Sequence, residues 1–308
     1  EHPLYLYGLS PEVPLSDMNG RGHFWRAEAW FQAYWAACAV LLVVLAHALR
    51  RRGAEATLRQ RLAQLPRRLK GWPGAWALLA GTAWAGLGGW IFYNTNVLNE
   101  YVTRPEREAR QARYERDLLA YEQLPQPTIT DVTLKVELFP REQRLRAEGR
   151  YRLENRTAAP LQQVHVRWMP PLVLRQLDLP GATLEKDHGD HRYRIYRLAR
   201  PLQPGQALEM AFATERDNPG FSHTSGQTRL VDNGSFVDNI EVSPLIGMDR
   251  HGLLSDRAKR RKHGLPPEQR MAKLEDYHAR AHHYLRRDSD WVNSRLTLVT
   301  DADQTPVA

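Results

Sequence analysis

The chain has 308 residues, a formal net charge of +8 and one cysteine, Cys38. A single cysteine excludes an intramolecular disulfide framework and a zinc site built on several cysteines. The positive charge would favour a nucleic-acid partner, but residues 50–71 hold eight Lys/Arg against one Glu, between two uncharged apolar segments. That distribution is typical of membrane topology, so we expect a lipid bilayer as partner and no nucleic acid.

The two uncharged apolar segments, residues 29–49 and 72–93, predict two transmembrane helices. At about 1.5 Å per residue, the first segment forms about 31 Å of helix, which is enough to cross a bilayer core. Trp72 and Trp90, near the ends of the second segment, match the interfacial aromatic belt. The basic residues follow the first segment instead of preceding it, which argues against a secretory signal peptide.

The basic residues 50–71 predict the orientation of both helices, because short loops with such a charge excess stay in the cytoplasm. Residues 1–28 then form an extracytoplasmic loop, and everything after Tyr93 lies on the same outer side. Leucines recur at helical spacing within the basic loop, which predicts a short amphipathic helix on the membrane surface: Leu58, Leu62, Leu65 and Leu69. We favour a plain orientation signal over a lipid-binding role for this loop.

Small residues recur every four positions along the second predicted span, at Ala77, Gly81, Ala85 and Gly89. This spacing lets another helix approach closely. Two interpretations stay open: the second span packs on the first through this stripe, or further helices of a larger permease occupy it.

Residues 94–127 predict a helical stalk and a proline linker. The sequence from Thr103 to Glu106 has the form of a capping box with a proline in the first turn. Alternating charges continue to Glu122 around a thin apolar face made of Tyr114, Leu118 and Tyr121. We favour a solvated spacer over a binding site for an acidic ligand, and we place a domain boundary at the Leu-Pro-Gln-Pro of residues 124–127.

From Thr128 onward, apolar and polar residues alternate, which predicts a β-sandwich domain over residues 128–308. The alternation is found in residues 132–138, 145–153, 164–168, 193–198, 208–212 and 291–300. The stretch 248–287 breaks the pattern, and we interpret it as an insertion that is helical over residues 266–284. The predicted fold class is a membrane-anchored mixed fold with two transmembrane α-helices, a helical stalk and a mainly antiparallel β-sandwich.

Two histidine patterns are candidate metal sites. His278 and His282 would share one face of a helix, but no glutamate follows His278 as it does in H-E-x-x-H, and we favour a solvated helix. His188 and His191 belong to the run Asp187-His-Gly-Asp-His191, for which we favour a polar hairpin turn with glycine at its tip. The sequence contains no G-x-S-x-G, Walker A or Rossmann glycine pattern, so we assign no catalytic, metal or substrate-binding residue.

Seven segments of the chain carry a family resemblance. Residues 14–35 (PLSDMNGRGHFWRAEAWFQAYW) and 90–101 (WIFYNTNVLNEY) resemble the outer loop and the last membrane exit of bacterial proteins that join an ABC-2-type permease region to an M1-family aminopeptidase region. The other segments resemble the M1 N-terminal β domain and its later part in the same proteins: residues 121–157, 201–213, 233–247, 254–267 and 288–304.

The resemblance implies a parent protein that is a zinc-dependent aminopeptidase, held in the bacterial inner membrane with its peptidase part outside. M1 enzymes bind zinc through two histidines and a distant glutamate, use a glutamate as general base and hold the substrate amino terminus with G-x-M-E-N; none of these matches a position in this sequence. We therefore expect zinc and the peptide substrate in the parent protein, and no cofactor in this chain.

We expect the chain to be a fragment that holds the last two membrane helices and most of the N-terminal β domain, incomplete at its C-terminus. Its task would be to anchor and brace an absent catalytic domain, with other permease helices and an ATPase subunit as partners. Two alternatives stay open, namely an extracytoplasmic β-sandwich binding module and an ABC-2-type permease component without peptidase activity.

Overall fold

The computed structural model describes residues 2–15, 17, 20–50, 57–223, 229–231, 234–268, 275 and 291–307. The chain divides into two compact units. The helical unit consists of Glu1–Val102 and Pro219–Gln227, and the sandwich unit consists of Thr103–Asn218 and Thr228–Ala308.

Two long apolar helices form most of the helical unit. Helix α1 (Trp25–Leu49) and, after a short helix α2 (Leu58–Arg68), helix α3 (Trp72–Phe92) coincide with the predicted spans; α3 continues into a π-helical turn, Tyr93–Leu98. Both are long and apolar enough to cross a membrane. In the most apolar 18-residue stretch of each helix, only 11% is buried within the protein. Phe31 and Tyr34 of α1 pack with Ile91 of α3, while most apolar side chains face outward, as lipid contact would require.

Helix α2 is the helix expected within the basic loop. Thr57 and Gln60 form a capping box, in which Gln60 N donates to Thr57 Oγ1 and Thr57 N donates to Gln60 Oε1. Arg68 Nη1 donates to the carbonyl oxygen of Ala48 (2.9 Å), one of the carbonyls that the end of α1 leaves without a helical partner. The guanidinium thus caps α1, while the position of α2 on a membrane surface stays a prediction.

The two glycines of the small-residue stripe of α3, Gly81 and Gly89, do not pack closely on α1. A Cβ at Gly88 would lie 3.0 Å from Tyr34 Cε2, so Gly88 is the position where the two helices approach. A Cβ at Gly81 or Gly89 would meet nothing within 4 Å among the described residues. Within the described part of the chain, the stripe is therefore open at these two glycines.

The sandwich unit contains two sheets, whose described strands are β1 (Thr128–Phe139), β2 (Arg144–Glu154), β3 (Leu161–Arg167), β4 (Val173–Asp178), β5 (Ala182–His188), β6 (Tyr193–Leu202), β7 (Ala207–Asp217), β8 (Leu245–Ile246) and β9 (Asn293–Val299). One sheet has the order β4–β7–β2–β1–β9, and the other has the order β5–β6–β3–β8. All pairings are antiparallel except that of β1 with β9, which is parallel. The two sheets are therefore mainly antiparallel, as predicted.

The core lies between the two sheets and is built by the alternation seen in the sequence. Along β2, Leu145, Ala147, Tyr151 and Leu153 are buried while the intervening residues face water. Gly149 occupies the remaining inward position, where a Cβ would overlap the ring of Phe212 on β7. Because Gly149 has no side chain, the ring of Phe212 on the paired strand fills this position in the core.

Helix α4 (Arg104–Leu118) forms part of the sandwich unit, which begins at Thr103. We predicted a solvated spacer that ends at a boundary at residues 124–127. The helix instead buries Leu118 and Glu115 against the sandwich unit, because its thin apolar face finds a partner there. Two short helices of the same unit follow later in the chain, α5 (Asn239–Val242) and α6 (Arg257–Lys262). The helix expected over residues 266–284 lies mostly outside the described residues.

Candidate functional site

The candidate site is the outer face of the four-stranded sheet, which α4 covers. Because side chains alternate along a strand, Tyr193 and Ile195 of β6 point away from the sandwich core. Leu118 of α4 is fully buried against them. Tyr121, just after α4, packs edge-on against His165 of β3, with 5.0 Å between the ring centroids. An apolar and aromatic contact therefore attaches the stalk to the sandwich.

A buried ion pair adds a second attachment. Both terminal nitrogens of Arg260 on α6 donate to the carboxylate of Glu115 on α4, at 2.7 and 2.6 Å. Only 5% of the Arg260 side chain and 3% of the Glu115 side chain are exposed. Arg260 Nε donates to the carbonyl of Pro266 (2.8 Å), and Nη1 also donates to the carbonyl of Leu254. Burial of two charges is tolerated because the donors and acceptors are matched in this way.

Asp249 supplies a third attachment, in the segment that precedes α6. Arg167 at the end of β3 donates from Nη2 to Asp249 Oδ2 (2.6 Å). The hydroxyl of Tyr114 on α4 donates to the backbone carbonyl of Asp249 (2.9 Å). Residues from α4, β3 and the segment before α6 are therefore joined at one point.

A cluster of two histidines and one carboxylate lies at the end of this contact. The hairpin between β5 and β6 contains a 3-10 turn, Gly189–His191, and places His188 and His191 at its tip. Asp117, in the last turn of α4, lies opposite, with its Oδ2 2.7 Å from His191 Nε2. One ligand atom from each of these three residues lies within 4.8 Å of the others. Two imidazoles and a carboxylate are a donor set that suits zinc and similar divalent ions.

The surroundings alter the ionisation of several of these groups. The hydrogen bond from His191 lowers the pKa of Asp117, and burial lowers the pKa of His188. Burial also lowers the pKa of His165 to about 4 and raises the pKa of Tyr193, whose hydroxyl lies 2.7 Å from His165 Nδ1. At neutral pH His165 and His188 are therefore neutral and Asp117 is ionised.

The structure describes one of the two histidine patterns of the sequence. His278 and His282 lie outside the described residues. The run from Asp187 to His191 forms the predicted polar hairpin turn. The structure also brings Asp117 beside this turn. In the sequence, Asp117 is only one of the alternating charges of the stalk. Its position at the end of the thin apolar face was the one local signal that it would meet the sandwich.

Comparisons with known proteins give partial structural matches. No protein-family model matches the chain, and no curated protein matches it. Among solved structures, the M1 zinc metallopeptidase of Deinococcus radiodurans is 13% identical, with a TM-score of 0.25, over 32% of this chain and 23% of that chain. A mutant of the same enzyme is 13% identical, with a TM-score of 0.26, over 34% of this chain and 26% of that chain. A two-domain M1 zinc metallopeptidase mutant bound to L-tryptophan is 14% identical, with a TM-score of 0.25, over 32% and 22%. The chain thus spans about a quarter of the length of these structures.

Proposed function

We propose that this chain anchors and braces the catalytic part of a larger, membrane-bound M1-type zinc aminopeptidase. The observation that carries the proposal is the attachment of α4 to the sandwich through Leu118 and the buried pair of Glu115 and Arg260. Helix α4 begins six residues after the π-helical turn that ends α3 at Leu98. Because this helix is attached to the sandwich, only residues 99–103 connect the β domain to the candidate span.

The anchoring part of the proposal is supported by α1 and α3, the two candidate membrane spans. The positive charge of residues 50–71 orients them with that loop in the cytoplasm of a bacterial cell. The stalk and the β domain then lie on the outer side of the inner membrane, where peptide substrates of the parent protein would be cleaved at their amino termini.

The catalytic part of the proposal rests on the resemblance of residues 121–157 and 201–213 to the opening of the M1 β domain. The described residues do not form the zinc site of that family. Their one group of three metal-ligating side chains lies on a hairpin turn and a helix end, at Asp117, His188 and His191, instead of on an H-E-x-x-H helix. We therefore assign zinc and peptide hydrolysis to the parent protein and no catalytic step to this chain. Further permease helices and an ATPase subunit belong to the same proposal.

Sequencing of the coding region on both sides of the chain tests the proposal. We expect H-E-x-x-H and a downstream zinc glutamate after Ala308, and further apolar spans before Glu1. A reading frame that closes at Ala308 would contradict the aminopeptidase proposal.

A binding module without peptidase activity is the second candidate, and one observation favours it. Among the described strands, β9 lies at an edge of its sheet, and its Leu296 and Val299 are each 45% exposed, so another strand or domain can add to it. Under the leading proposal this edge contacts the catalytic domain. Under the second candidate, residues 103–308 alone should be soluble and unfold in one cooperative transition. Aggregation of that fragment would count against the binding module.

A further inference from the structure

The cluster of Asp117, His188 and His191 has a feature that a simple ion pair does not explain. Asp117 Oδ2 and His191 Nε2 already form a hydrogen bond of 2.7 Å, yet the ring of His188 lies beside them. Its Nε2 is buried and has no hydrogen-bond partner among the described residues. A buried ring nitrogen without a partner is unfavourable unless something else binds it.

We propose that Asp117, His188 and His191 bind a divalent transition-metal ion, with Zn²⁺ the best match, and that the ion ties the end of α4 to the hairpin between β5 and β6. The proposal goes beyond anchoring and bracing, because it assigns a ligand to the sandwich unit. It also gives His188 Nε2 a partner.

The donor atoms and their spacing fit such an ion after a small adjustment. Zn²⁺ binds imidazole nitrogen and carboxylate oxygen at about 2.0–2.2 Å, which places the donors of a tetrahedral site about 3.3 Å apart. The three donors here lie within 4.8 Å of one another, so the most widely separated pair must approach by up to about 1.5 Å on metal binding. Three protein ligands leave a fourth position, which water can fill.

Aromatic rings pack against the two imidazoles. The ring of Tyr114 packs edge-on against His191 (5.6 Å between centroids), and the ring of Tyr121 packs against His188 (6.4 Å). These contacts limit the movement of both imidazoles, which lowers the entropic cost of metal binding.

The location gives the ion a mechanical role. Asp117 lies in the last turn of α4, and both histidines lie on one hairpin, so the metal cross-links two elements that are 71 or more residues apart in the sequence. Metal binding should therefore slow the opening of the last turn of α4, an effect that can be measured without any enzymatic activity.

The test uses the tag-free chain in detergent, stripped with EDTA and titrated with ZnCl₂ by calorimetry, and with CoCl₂ by visible absorption. We expect a Zn²⁺ site that His188→Ala and His191→Ala each weaken by more than the roughly 10–100-fold that loss of an outer-shell partner costs. Asp117→Asn keeps the shape of the side chain but removes its charge, so it should also weaken binding. Hydrogen exchange of the last turn of α4 should slow on Zn²⁺ addition in the unsubstituted chain, and not in His188→Ala or His191→Ala.

Two control variants separate this site from other histidines. His251→Ala removes an exposed imidazole that pairs with Asp249, and it should leave binding unchanged. The double variant His278→Ala/His282→Ala should also retain the site. The proposal is overturned if the double variant abolishes binding, if His188→Ala and His191→Ala bind Zn²⁺ as tightly as the unsubstituted chain, or if no Zn²⁺ binds at micromolar concentration.

Discussion

Glu115 is the residue whose replacement should most weaken the attachment of α4 to the sandwich. Its carboxylate accepts from both terminal nitrogens of Arg260, and both side chains are buried. Glu115→Ala leaves the guanidinium buried without its counter-charge, which destabilises a protein by about 3–5 kcal/mol. We expect hydrogen exchange of the α4 amides, measured by mass spectrometry, to accelerate accordingly.

Glu106→Ala on the same helix is the matched control. Glu106 also pairs with an arginine, Arg110 at 3.1 Å, but both side chains are more than 40% exposed. Exposed pairs of this kind contribute only about 0.3–0.5 kcal/mol. Equal effects of the two substitutions would show that the pair of Glu115 and Arg260 does not hold the helix in place.

His165 should make the stability of the sandwich unit depend on pH. Burial lowers its pKa to about 4, whereas an unfolded histidine has a pKa of about 6.5. Between these two values the unfolded chain binds a proton that the folded chain does not, so stability falls as the pH drops from about 6.5 to about 4. The difference of about 2.5 pKa units corresponds to about 3 kcal/mol.

Urea unfolding with EDTA present, followed by circular dichroism at pH 7.5 and pH 5, measures this contribution. His165→Gln removes the titrating group, so the loss of stability between the two pH values should be smaller in the variant. His251→Gln, at an exposed position, should keep the full loss. An identical pH dependence in His165→Gln and the unsubstituted chain would contradict the assignment.

At the scale of elements, two neighbouring glycines of α3 should behave differently. Gly88 lies against Tyr34 of α1, whereas a Cβ at Gly89 meets nothing within 4 Å among the described residues. Gly88→Leu should therefore separate α1 from α3 and lower the thermal stability of the chain in detergent. Gly89→Leu should leave this stability unchanged, because it projects onto the open stripe.

The same pair of variants distinguishes the two interpretations of the small-residue stripe. If further permease helices pack on α3 in a longer protein, Gly89→Leu should be neutral in this chain and disruptive in the longer protein. A loss of stability with Gly89→Leu in this chain alone would mean that the stripe contacts α1 after all.

Strands β1, β2 and β7, which the sequence predicted, have one buried and one exposed face, whereas β9 was predicted although most of its residues are exposed. In β1 and β2, apolar residues alternate with polar or charged ones over residues 132–138 and 145–153, so the strand period is clear. Strands β4 and β5 were missed because most of their residues are exposed, so neither strand has an apolar face to reveal it. Strand β8 is only two residues long and has no period.

The packing of α4 was not predictable from local pattern, because its partners are distant in the sequence. Glu115 pairs with a residue 145 positions away, and Asp117 pairs with one 74 positions away. Both acids fit the alternating charges of a solvated helix, and only contact with the sandwich distinguishes them from Glu106. The hairpin turn that carries His188 and His191 was predictable because a polar turn with glycine is determined locally.

At the scale of the whole molecule, the proposed anchoring depends on the difference between a pair of apolar helices and a charged sandwich. The positive charge of residues 50–71 is the feature that predicts their orientation in a membrane. This orientation predicts which surfaces a reagent outside the cell can reach.

Cysteine labelling in bacterial spheroplasts tests this central claim most directly. In a Cys38→Ser background, Ala63→Cys places one thiol on α2, and Glu148→Cys places one on an exposed position of β2. A membrane-impermeant maleimide should label the cysteine at 148 in intact spheroplasts and the cysteine at 63 only after lysis. Labelling of position 63 from outside, or protection of position 148 until lysis, would contradict an anchor that holds the β domain outside the membrane.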